Sequence, residues 1–198
     1  MAFAGGMTPG TTDRPITARE GRSVLGFAAA LAGVFFLEFH RVLLGWESFF
    51  HRDFGLLALP TVHYWREAVL GGEWPWWNPL SHCGTPFAAQ WGVMAFYPGM
   101  ALCLGPLPWA LHLFELLHLW WGGVGMFVLA RRWTGSIPGA ALAGVVVAFG
   151  GPVQACLEWP NYCAAWGWLP WVVLAVDRAL GEGGRAVWVA GLAGAVQF

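Results

Sequence analysis

Four stretches of the chain, at about 23–44, 107–130, 137–156 and 162–180, are each close to twenty mostly apolar residues. A helix of ~20 residues crosses the ~30 Å hydrocarbon core of a bilayer, where only helices or closed barrels can satisfy their own backbone groups. The chain is therefore predicted to fold as an all-α polytopic membrane protein with about four complete spans. A fifth apolar stretch, 188–198, is too short to span and is read as a partial helix. The chain is 58% hydrophobic and 11% charged, against ~25% charged residues in soluble domains. The net charge of −1 argues neither for nucleic acid nor for an acidic partner; no nucleic acid is expected, and membrane lipid is the first partner expected.

Residues 1–22 are rich in Gly, Thr and Pro and end in Arg14, Arg19 and Arg22. They read as a disordered tail, followed by an anchor and not by a cleaved signal peptide, because no small-residue cleavage site follows the apolar run. Arg131 and Arg132, then Arg178 and Arg185, fall on the same side as the tail if the spans alternate. The positive-inside rule places that side, with the N-terminus, in the cytoplasm. The large first loop, 45–106, and the short turn 157–161 then share the extracytoplasmic face.

That loop holds a large share of the ionisable side chains, and any chemistry is expected there. From Phe54 to Leu70 apolar residues recur at Phe54, Leu57, Ala58, Thr61/Val62, Trp65 and Ala68/Val69, with His63, Arg66 and Glu67 on the other side. This is the period of an amphipathic helix lying in the membrane interface, bent or restarted at Pro60 and ended by Gly71-Gly72. Asp53, the only Asp in the loop, is the candidate catalytic residue, as a general base or as a carboxylate that holds a metal ion. An N-cap role for the same side chain stands beside that reading. Arg52, His63 and Arg66 suit a phosphate group, or equally the lipid head groups. Trp74, Trp76 and Trp77 suit a sugar face or an interfacial belt. Glu158 and Asn161 in the short turn offer a second carboxylate and an amide, though turn chemistry explains them as well.

Other polar groups lie within the spans. His112, Glu115 and His118 share one face of the second span and read as an interior polar track, with metal ligation the lesser alternative. Glu38, His40 and Arg41 lie near the end of the first span, where the Glu and Arg read as an interfacial pair, with a polar wall beneath an extracytoplasmic active site as the alternative. Cys156 and Cys163 are placed where a disulfide is chemically allowed, with plain helix packing the simpler reading.

The loop residues Arg52-Asp53, Pro60, Tyr64, Arg66-Glu67-Ala68, Gly72-Glu73, Pro75, Trp77-Asn78-Pro79, Gly84, Pro86-Phe87 and Phe96-Tyr97-Pro98 resemble the N-terminal part of YfhO-type bacterial membrane proteins. Gly150-Gly151-Pro152, Pro160-Asn161 and Trp168-Leu169-Pro170-Trp171 are similar too. These proteins belong with the GT-C glycosyltransferases. The resemblance implies a multi-pass enzyme of the bacterial cytoplasmic membrane that moves a sugar from a polyprenyl-phosphate carrier to an extracytoplasmic acceptor. It implies Asp53 as the catalytic acid of the first outer loop. The substrate-binding set is then Arg52, His63, Arg66, Glu67, Trp77, Asn78, Glu158 and Asn161. Some relatives carry an adjacent Asp-Glu pair, where this chain has Phe54 after Asp53. Use of a divalent metal varies in the superfamily, and none is assigned. Family members are longer, so the chain is expected to be an N-terminal fragment, inactive alone, that works with a missing C-terminal part or a partner subunit. A non-catalytic membrane subunit and a transporter or flippase segment are the alternatives.

Overall fold

The structure, a computed structural model, describes residues 18–49, 51–90 and 92–197. It is all-helical: among the described residues there is no strand, only an isolated antiparallel bridge between Asn78 and Thr85. Three segments, Glu20–Leu43, Trp109–Thr134 and Ile137–Glu158, are long and apolar enough to cross a membrane.

Helix α1 (Ala18–Leu43) begins inside the stretch expected to be a tail, whose residues 1–17 lie outside the described residues. Ala, Arg and Glu are strong helix formers, and Glu20 in the first turn complements the helix dipole, so the helix extends below the apolar run. After a long loop come α3 (Trp109–Thr134) and α4 (Ile137–Phe149). Gly135, in the left-handed region at φ 70°, ends α3, and Ser136 caps α4 by accepting from the Gly139 N–H. The third expected span is broken at Gly150, which is extended. The chain restarts as the short α5 (Gly151–Gln154) and a 3₁₀ turn (Ala155–Glu158). Helix α6 (Pro160–Glu182) is 23 residues long, but Trp, Tyr and Pro count little toward hydropathy, and it is not among the three apolar spans. Helix α7 (Arg185–Gln197) packs on it.

Helix α3 carries apolar residues on every side and is buried over most of its length, which puts it at the centre of the bundle. Trp109 at its start donates to the Leu43 carbonyl at the end of α1, and Arg131 at its end reaches Ser23, so α1 and α3 are antiparallel. Arg132 and Asp177 join the ends of α3 and α6, which run parallel. Gly122 and Gly167 let α3 and α6 meet backbone to backbone: a Cβ on Gly122 would stand 3.1 Å from the Cα of Gly167. The loop, the end of α1, the start of α3 and the 155–159 turn therefore share one end of the bundle. Arg22, Arg131, Arg132 and Arg178 lie toward the other.

Within the loop, the expected amphipathic helix is two segments. Phe54–Ala58 is a π-helical turn and α2 (Leu59–Leu70) is regular, with Pro60 in its first turn where a missing N–H costs nothing. The wider π turn shifts the register, so Leu57, expected on the apolar stripe, is exposed, while Phe54, Val62 and Trp65 stay buried. Those three pack on Phe87, Met100, Leu111, Phe114 and Ala164, so the stripe is covered by the loop itself and by the ends of α3 and α6.

Candidate functional site

The π turn begins at an unusual backbone. Arg52 has a positive φ of 41°, a region that costs an L residue ~1–2 kcal/mol. Strain of this kind persists only where surrounding structure enforces it, and it concentrates at functional sites. It turns His51 and Arg52 toward Glu158, each 3.9 Å from a carboxylate oxygen. Asp53 follows at the N-cap position, yet its carboxylate caps no helix N–H. Among the described residues it makes no hydrogen bond or ion pair, which disfavours the capping role.

Asp53 instead lines a cleft of about 160 Å³ between the π turn and α2 on one side and the 158–161 turn on the other. Gln90 and residues 92–94 form the third wall. Thr61, Gln90, Glu158 and Asn161 add polar groups, and Val62, Val93 and Trp159 add apolar surface. The turn is shaped by its sequence: the 3₁₀ segment stops at Glu158, Trp159 is extended, and Pro160 starts α6, which leaves Asn161 facing the cleft. Gly92, at φ 87°, packs against the Asn161 amide, where a Cβ would come within 3.3 Å. The volume is below the ~300–1,000 Å³ of drug-sized sites, so the cleft suits one ring or head group. Chemically it offers one unpaired carboxylate, a second carboxylate 3.9 Å from the Arg52 guanidinium and from the His51 ring, and an amide.

Of the predicted set, Asp53, Arg52, Glu158 and Asn161 are brought together, across more than a hundred positions of sequence. The others are elsewhere. The Arg66 Nε–H donates to the Leu104 and Gly105 carbonyls at 3.1 and 3.0 Å, and its guanidinium also pairs with Glu67 at 2.6 Å. That side chain clamps α2 to the 3₁₀ helix Pro98–Leu104 and is not free to cradle a phosphate. His63 is exposed on α2 and does not line the cleft. The Trp77 carbonyl accepts from the Tyr64 hydroxyl, and the Asn78 side chain accepts from the Leu80 N–H in a turn, so both shape the loop. Thr61, Gln90 and the 92–94 wall were not anticipated. Gln90 and residues 92–94 belong to an irregular stretch with no period to place them.

The track inside α3 is a separate polar region. His112 bonds Ser48 through Nε2 at 2.9 Å and stacks on Phe54. His118 lies 2.5 Å from the Tyr97 hydroxyl, which also accepts from the Trp168 N–H at 2.8 Å. Burial raises the Tyr97 hydroxyl above its usual range, against the Trp168 bond. Glu115 lies between the two histidines, is 0% exposed, and has no hydrogen-bond partner on either oxygen. The histidines of the interior track are thus hydrogen-bonded to loop side chains and not between helices, and the acid is not hydrogen-bonded at all. Among the described residues no group of three metal-ligating side chains exists, so the metal reading has no geometry behind it. Cys156 and Cys163 are not bridged; the Cys163 thiol donates to the Cys156 carbonyl at 3.1 Å. Near the end of α1, Arg41 pairs with Glu47, and Glu38 is exposed, so the interfacial pair forms with a different partner.

No family model matches the chain, and no curated protein or solved structure is detectably similar to it.

Proposed function

We propose that the chain is the N-terminal module of a membrane glycosyltransferase of the GT-C type, with its chemistry in the Asp53 cleft. In this reading the protein sits in a bacterial cytoplasmic membrane, N-terminus inside, with α6 as a fourth span and α7 as part of a fifth. The donor is a polyprenyl-phosphate-linked sugar and the acceptor is extracytoplasmic. Asp53 accepts the proton of the attacking hydroxyl, Asn161 and Glu158 orient the acceptor, and Arg52 exchanges Glu158 for developing phosphate charge. The observation that carries the reading is the convergence of an unpaired Asp53 with Glu158 and Asn161 in one cleft at the loop end of the bundle, with Arg52 3.9 Å from the Glu158 carboxylate. The resemblance of the loop to YfhO-type proteins supplies the reaction class.

The test is transfer from a polyprenyl-phosphate-linked sugar by membranes carrying the longest reading frame, with and without Asp53→Asn. A positioned general base contributes ~10²–10⁴-fold, and the variant is expected to lose that much while keeping its thermal unfolding midpoint. Full activity in Asp53→Asn would remove the proposed base. A second reading, a transporter or flippase segment, rests on one observation: the unpartnered Glu115 inside an apolar span. A non-catalytic subunit has no comparable feature to favour it.

A further inference from the structure

The sequence Trp74-Pro75-Trp76 alternates in a way the cleft does not use. Pro75 is almost completely buried, whereas the two Trp side chains flanking it are 41% and 61% exposed. The Trp76 N–H donates back to the Trp74 carbonyl at 2.8 Å, a tight turn about the buried Pro75 that leaves both flanking rings on the outer side. Phe96, 63% exposed and brought in from a distant part of the loop, meets both: its ring centroid is 5.4 Å from Trp74 and 5.7 Å from Trp76. The Trp rings are 6.4 Å apart. The result is a three-ring apolar tip held from beneath.

We infer that this tip enters the lipid interface of the membrane leaflet on the loop side. Three observations select lipid as the occupant. The chain passes directly from the tip to the bundle flank: Phe96 precedes Tyr97, which with Leu102 and Leu117 lines an open, largely apolar groove running down α3. The loop is tethered at both ends to apolar helices, and exposed Trp46 beyond α1 and Trp109 at the start of α3 mark the level where the chain leaves them. The tip itself has the chemistry of that level, two indoles with N–H groups unpartnered among the described residues and one phenyl ring, with no charged side chain among the three. The loop is then anchored at a third point between its two ends, which fixes the cleft's height above the bilayer.

The tip is tested by a spin label at Trp76→Cys in a Cys83→Ser, Cys156→Ser background, in phosphatidylcholine vesicles. Labels at Leu142→Cys on the exposed flank of α4 and at His82→Cys in the polar turn are the references. Collisions with oxygen several-fold favoured over a water-soluble nickel chelate, as at 142, are expected. A chelate-dominated label, as at 82, would overturn the inference and leave a sugar or a protein partner as the occupant. Continued resistance of buried Cys103 and Cys163 to thiol reagents shows that the fold survives labelling. If it does not, the loss of brominated-lipid quenching between the intact protein and Trp76→Phe replaces the label: a loss supports the tip, and no difference overturns it.

Discussion

Two carboxylates in this chain are held in opposite ways. Asp53 sits at the edge of a cleft, partly exposed, with a cation-bound acid opposite and an amide beside it. Glu115 sits inside α3 with no exposure and no partner. Both groups are orphaned among the described residues, and only one of them can meet a ligand from solution or from the membrane surface. An unpaired acid on a cleft wall is available to a substrate. The same acid in the core is a cost of about 1–3 kcal/mol unless something neutralises it. Access, not the residue type, separates a candidate site from a structural oddity.

The comparison can be broken most sharply from the side of the cleft. Phe54 adjoins Asp53, is fully buried, and stacks on His112 with ring centroids 4.8 Å apart, so it links the two regions. Phe54→Ala is expected to cost ~3–5 kcal/mol and to collapse the π turn that presents Asp53. A fall in unfolding midpoint in detergent checks this; an unchanged midpoint would mean that the turn is held by something else. From the other side, Glu115→Leu removes a buried carboxyl and leaves an apolar side chain. It is expected to stabilise the protein by ~1–3 kcal/mol. A loss of stability would show that the carboxyl is satisfied by a bound group and that the second reading gains ground.

A smaller effect sharpens how dry the boundary between the regions is. Burial, aided by the Glu115 carboxylate, pushes the Cys103 thiol up to about 12. A group raised in the folded state above its ordinary value near ~8.5 contributes stability that is fully present below that value. That contribution is lost as pH rises through about 12. Unfolding midpoints should therefore fall from pH 9 upward, and Cys103→Ala should fall less steeply. Tyr97, raised in the same direction, leaves part of the slope in the variant.

The bundle was largely legible because runs of ~20 apolar residues have few alternatives. The break at Gly150 was not, since Gly and Ala in an apolar run read equally as close packing. Helix α2 was legible from its period, but a π turn leaves no composition signal, and it moved Leu57 off the stripe. For the site, residue chemistry pointed to Asp53, Glu158 and Asn161 separately; their meeting depends on how α3 and α6 pack through Gly122 and Gly167. His63 and Arg66 were grouped with Arg52 because all three are donors suited to a phosphate. The carbonyls of Leu104 and Gly105 that claim Arg66 lie nearly forty residues away and carry no side-chain signature.

The most direct test is to measure transfer from a polyprenyl-phosphate-linked sugar by Asp53→Asn and Glu115→Leu side by side, in the same membranes and the longest reading frame. The account predicts a loss of ~10² or more for Asp53→Asn and near-normal transfer for Glu115→Leu. The reverse pattern, activity that survives without Asp53 and vanishes without Glu115, would contradict it and move the chemistry into the core of the bundle.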